Sequence, residues 1–113
     1  MKALILKPFW CNEILNNNKT WEIRRNNCKI RGKIGLIASG TKQIYGECEL
    51  IDAFPLTKEL FEKNFDKHHI NCKYEELPSS YKYVWVLNNI KKYEVPKSYI
   101  HKQGAQIWVN VEE

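Results

Sequence analysis

The sequence predicts an α+β fold, a small and strongly bent β-sheet or barrel of about six strands with two main helices on its flanks. Three observations predict it. Apolar and β-branched runs of strand length recur along the 113 residues. Only two segments show the spacing of a helical stripe. No strand–helix alternation is sustained enough for a doubly wound parallel sheet.

The elements follow in order. Ala3 to Leu6 is a short apolar run read as a buried strand. Pro8 suits the first turn of a helix, where its missing N–H costs nothing, and Trp10, Ile14 and Leu15 continue as a helical stripe up to Asn16-Asn17-Asn18. Thr20 to Arg25 alternates as a strand, with Thr20, Glu22 and Arg24 on one face and Trp21, Ile23 and Arg25 on the other. A polar loop, Asn26 to Arg31, leads to a buried strand from Lys33 to Ser39, closed by Gly40-Thr41. Gln43 to Phe54 is the longest strand, with an alternation that slips as at a bulge, and Pro55 stops it. Thr57 caps one helix with Leu60, Phe61 and Phe65 as its apolar positions, and His68-His69 and Asn71 mark its end. Residues 70–80 read as irregular. Tyr81 to Leu87 is an aromatic, β-branched strand, Asn88-Asn89 a turn, Ile90 to Val95 a continuation of the sheet, Pro96 to Gly104 a loop, and Ile107 to Val111 the last strand.

The length fits one domain, residues 1–113, with one modest core. Charge is unevenly placed. Of the formal +5, residues 1–46 carry +7, residues 47–80 carry −4 and residues 81–113 carry +2. A basic first segment points to an anionic partner. Its densest part runs from Lys19 to Arg31, where five cations and one carboxylate, Glu22, occupy thirteen positions beside Trp21. A carboxylate held among cations next to an indole suggests a ligand that is both anionic and flat.

The four cysteines, Cys11, Cys28, Cys48 and Cys72, show no CxxC or CxH spacing, so neither zinc nor another metal is expected. The apolar run near the start is only four residues long, too short for a signal or a membrane span. A cytoplasmic protein with reduced thiols and no membrane association is the expectation. His68-His69 fit a helix C-terminus, where the dipole favours them, better than a metal site. No nucleophile elbow surrounds Ser39, and no cofactor motif is present.

Four stretches together resemble the ASCH domain, a member of the PUA-like group of small β-barrels. They are Lys7-Pro8-Phe9-Trp10, the Lys-x-x-Glu-x-Arg pattern of Lys19 to Arg24, Arg31-Gly32 followed by Ile34 to Ser39, and Gly46-Glu-Cys-Glu-Leu-Ile-Asp52. Trp85 and Gln106-Ile107-Trp108 fit later strands of the coactivator-type members. The resemblance implies a PUA-like barrel with a cleft beside the first helix and nucleic acid as the ligand. Some bacterial members are amidohydrolases acting on an acetylated cytidine, with a Lys, a Thr three residues later and a distant Glu; others resemble ribonucleases. Lys19 stands at the Lys position, but Glu22 replaces the Thr, and His68 falls about where the Glu would be. The pattern is closer to the coactivator-type members, for which binding is the implied role.

The expected partner is therefore RNA, another single-stranded nucleic acid or a modified nucleotide, with no visible recognition helix for duplex DNA. Arg24, Arg25, Lys29, Arg31, Lys33 and Lys42 are candidates for a phosphate-binding rim, and Lys7 is a further nucleic-acid-binding candidate. Trp10 and Trp21 are candidates for base stacking, Trp10 being open to a core reading as well, and Lys19, Glu22 and Ser39 are candidates for reading the base edge. Trp85 and Trp108 are read as core. The alternative is a small hydrolase acting on an acylated nucleoside or on RNA, with Lys19 and Glu22 as its catalytic pair.

Overall fold

A computed structural model describes residues 1–112 of the chain. In order the elements are β1 (Lys2–Leu6), α1 (Pro8–Asn16), β2 (Trp21–Arg24), β3 (Gly32–Ala38), β4 (Gln43–Pro55), α2 (Lys58–Lys63), α3 (Phe65–His68), a 3-10 turn (Tyr74–Glu76), β5 (Tyr83–Ser98) and β6 (Trp108–Asn110). The strands form one mixed sheet of six in the order β2-β5-β4-β3-β1-β6. Only β1 and β3 run parallel, and α1 begins the connection between them.

The expected barrel is not closed: among the described residues no ladder joins the edge strands β2 and β6. Both edge strands are short, with four and three residues. The sheet nevertheless curls strongly. β4 slips register against β5 between Ile44 and Gly46, Glu47 and Glu49, and Leu50 and Asp52, and each bulge adds twist. The curl brings Trp85 of β5 onto Trp108 of β6, with rings 5.8 Å apart and 11° from parallel. The open seam between β2 and β6 is thus bridged by side chains.

Three other expectations need correction. Asn88-Asn89 is not a turn: β5 runs unbroken through it, with Asn89 at φ 50°, as a bulge residue absorbs the slip against β4. β5 also continues past Pro96 to Ser98, where it pairs with Gln43, so the loop begins later than the proline suggests. Thr57 does cap a helix, its hydroxyl accepting from the Leu60 N–H at 3.2 Å, but that helix ends at Asn64 and a separate short one follows. The Asn64 side chain donates to the Leu60 carbonyl at 2.7 Å, so a polar side chain takes the place of the next helical bond.

The main core lies between α1 and the sheet, with Leu4, Leu6, Cys11, Ile14, Ile34, Leu36 and Leu50 buried. A second cluster joins Trp21, Ile23 and Val84 to Phe61 and Ile70 beneath α2 and α3. Cys28 and Cys48 are buried as well, and Cys72 is exposed. No helix among the described residues is long and apolar enough to cross a membrane.

Candidate functional site: a cleft beside the first helix

A cleft of about 400 Å³ opens between the start of α1 and β2. The end of β1 brings Ile5 and Leu6, α1 and the residue before it bring Trp10 and Lys7, and β2 with its flanks brings Lys19, Glu22, Arg24 and Arg25. Ser39 enters from the end of β3, with Tyr81 and Gln106 completing the mouth. Four cations and one carboxylate therefore line this space.

Lys19 forms its floor. The side chain is 1% exposed, and Nζ donates to the carbonyls of Trp21 at 2.5 Å and His68 at 2.7 Å. It lies 3.8 Å from Glu22 Oε1 and 4.6 Å from the centre of the Trp10 ring. Burial disfavours the ammonium and draws its pKa down to about 8, although Glu22 and Glu13 pull the other way. Glu22 is buried, and its second oxygen accepts from Arg24 Nη1 at 3.0 Å. The alternation of β2 explains this pair: residues 22 and 24 share one face of the strand.

Arg24 reaches further. The same Nη1 donates to the Ile5 carbonyl at 3.4 Å, and the guanidinium lies 5.5 Å from the centre of the Trp85 ring. It thus spans the seam from β2 to β1 that the backbone leaves open. Ser39 is exposed at the rim, and its N–H donates to the Leu6 carbonyl at 2.7 Å, which fixes the β3 end beside the cleft.

Lys7, Trp10, Lys19, Glu22, Arg24, Arg25 and Ser39 thus converge on one space. The other candidates, Trp21, Lys29, Arg31, Lys33 and Lys42, lie outside it. Trp21 is buried under α3 and meets Phe54 edge-on at 5.6 Å, because the face of β2 opposite Glu22 packs into the second core cluster. Arg31 donates from Nη1 to the carbonyls of Cys28 and Ile30, both at 2.8 Å, and braces its own loop. Lys42 is exposed in the turn before β4, with φ 57°. Lys33 lies 3.9 Å from Glu47 on the sheet.

His68 meets Lys19 through its carbonyl and not through its ring. The imidazole stacks on Phe61 at 4.2 Å, Nδ1 accepts from the Ile70 N–H at 2.9 Å, and Nε2 donates to the Phe61 carbonyl at 2.7 Å. Burial lowers its pKa, in keeping with a neutral ring whose Nδ1 must accept. His69 pairs with Glu13 at 3.1 Å and ties the end of α3 to α1. Among the described residues no cluster of His, Cys, Asp or Glu side chains could hold a metal ion.

Sequence reading missed Ile5, Tyr81 and Gln106 as parts of the cleft. A carbonyl acceptor carries no side-chain signature, and Tyr81 and Gln106 lie in the segments that lead into β5 and β6, far along the chain. Trp108, read as core, packs against the main core cluster and is half-buried.

The family model described as the ASCH domain matches residues 4–97. Crystal structures of the ASCH protein from Zymomonas mobilis share the fold at 15% identity. A serine-to-alanine variant superposes with a TM-score of 0.74, covering 99% of this chain and 88% of that one. The unsubstituted protein gives 0.67, with 86% and 72% covered, and a tyrosine-to-phenylalanine variant gives 0.61, with 80% and 70% covered. No curated protein matches the chain. With residues 4–97 matched by the family model, most of its length, the chain belongs to the ASCH domain family.

Proposed function

We propose that this protein binds RNA or a modified nucleotide, with one nucleotide in the basic cleft beside α1. The observation that carries this reading is the convergence of Lys7, Lys19, Arg24 and Arg25 with a single carboxylate, Glu22, around about 400 Å³ walled by Trp10. That volume suits a nucleoside-sized ligand. Lys7 and Arg25 are exposed and suit phosphate; Lys19 and Glu22 are buried and suit the polar edge of a base; Trp10 offers a π-face. Lys19 brings a donor and Glu22 an acceptor to one place, so the floor is built for a group with both functions.

A hydrolase is the second reading, and one observation favours it. A lysine brought down to about 8 is partly neutral near working pH. As an amine it has two protons, which the carbonyls of Trp21 and His68 accept, and its lone pair is left for the side of Glu22 and the cleft. In that reading Lys19 would take a proton from an attacking water or ribose hydroxyl, and Glu22 would hold the electrophile's amide or orient the nucleophile.

One experiment separates them. Fluorescence anisotropy with labelled, random-sequence single-stranded RNA should show saturable binding that weakens about tenfold in Arg25→Ala and Trp10→Leu, the loss expected for a charge-assisted phosphate contact or a stacked base. The RNA, and N4-acetylcytidine beside it, should be recovered unchanged. Product that forms with the wild type and not with Lys19→Met would establish the hydrolase. Absence of both binding and product would remove both readings.

A further inference from the structure

The cleft does not end at Arg24. Beyond it, along the open seam between β2 and β6, lies a second groove of about 740 Å³. Its walls are the loop 26–30 on one side and Gln106, Ile107 and Trp108 on the other. Arg24, Arg25 and Gln106 line both spaces, so the two are halves of one channel that meets at the guanidinium bridge.

This groove has its own recognition chemistry. Arg24, Arg25 and Lys29 line it and no carboxylate does. Among the described residues, Arg25 and Lys29 have no acidic partner, and both are exposed. Both bonds that Arg24 makes use Nη1, so its fork is not spent on the seam. Trp108 is half-buried in the wall, held in orientation by Trp85 at 5.8 Å and 11°. Trp85 is fixed in turn, its indole N–H donating to the Asn26 carbonyl at 2.9 Å. Arg31 clamps the carbonyls of Cys28 and Ile30, so the loop that presents Lys29 is braced before any ligand arrives. A cationic lining, an oriented indole and a rigid wall form a stacking platform with phosphate sites beside it.

We infer that the ligand is a strand of at least two nucleotides, with one in the cleft, its neighbour in the groove against Trp108, and the phosphate between them on Arg24 and Arg25. This rests on the nucleotide-binding reading of the cleft and extends it: the substrate class is single-stranded RNA and not a free nucleoside. Lys29 then meets the phosphate beyond the second nucleotide.

The test is a length series. An equimolar mixture of ribonucleoside 5′-monophosphates and 5′-phosphorylated random RNAs of two to six nucleotides are titrated into the protein by calorimetry. Affinity should rise roughly tenfold or more between one nucleotide and three, as one added stacked base and one added phosphate contact require. Lys29→Ala should lower trinucleotide affinity about threefold or more and leave mononucleotide affinity unchanged. Trp108→Leu should act in the same direction and Trp108→Phe should restore most of the loss, with thermal melts showing that each variant folds. Mononucleotide binding with no gain on lengthening would overturn the inference and leave the cleft reading intact. Equal effects of Lys29→Ala on both lengths would also overturn it. No binding at any length would overturn both.

Discussion

Lys19 is a cation taken almost wholly out of water, and its energetics follow from that. Its ordinary pKa of 10.5 is drawn down to about 8 by burial. Between these values the unfolded chain holds a proton that the folded protein has released, so this group makes stability rise with pH across that window. Two buried thiols act oppositely. Burial pushes Cys11 up to about 11 and Cys48 up to about 12, so from about pH 9 the unfolded thiols ionise first and stability falls. Lys19→Met removes the first effect and keeps the second. Urea melts at stepped pH should therefore show wild-type stability gaining on the variant from pH 8 to 10.5, and a constant difference would contradict the burial of a titrating Lys19. The Lys19–Glu22 spacing was legible in the sequence. That the ammonium points at the carbonyl of His68, 49 residues away, was not, since only tertiary packing brings α3 beneath β2.

At the scale of elements, helix α1 carries Trp10 to the cleft, and its position depends on a glycine in β4. A Cβ added to Gly46 would lie 2.5 Å from the Lys91 carbonyl oxygen and 2.6 Å from Leu15 Cδ2. The first contact is backbone and cannot yield without opening the β4–β5 bulge; the second presses on α1. Gly46→Ala should lower stability by about 1–3 kcal/mol, as overpacking does, and shift the tryptophan emission as α1 moves. Thermal melts and fluorescence check it, and an unchanged melting temperature would mean the bulge relaxes freely. Element types were readable because β1 to β4 have clear apolar runs and Pro8 and Thr57 mark helix starts. Element ends were less so. Asn88-Asn89 has turn chemistry, yet β5 keeps its ladder with β4 on both sides, because a bulge uses the same left-handed residue that a turn would. The single helix expected after Thr57 fails for a similar reason: Asn64 competes for the helix's own carbonyl.

For the whole molecule, binding should carry the mark of its charge distribution. If one phosphate meets Arg24 and Arg25 and a second meets Lys29, the logarithm of the binding constant for single-stranded RNA should fall against the logarithm of salt concentration with a slope of about −1.4. Anisotropy titrations from low to high salt measure it, and flat binding would exclude a phosphate-led interface. Charge asymmetry between the first 46 residues and the rest was plain in the sequence, as was the order of motifs that marks the family. Local chemistry determined these by itself: strand periodicity, helix starts, the shared face of Glu22 and Arg24, and the supply of cations. Tertiary structure alone decided that the sheet stays open between β2 and β6, that Arg24 and the Trp85–Trp108 pair bridge the gap, and that Arg31 braces a loop while Arg25 lines the cleft. The physical reason is the same in each case. Whether edges meet, and which cation faces a cleft, depends on register slips and on contacts between residues far apart in the chain, and no local pattern encodes their sum.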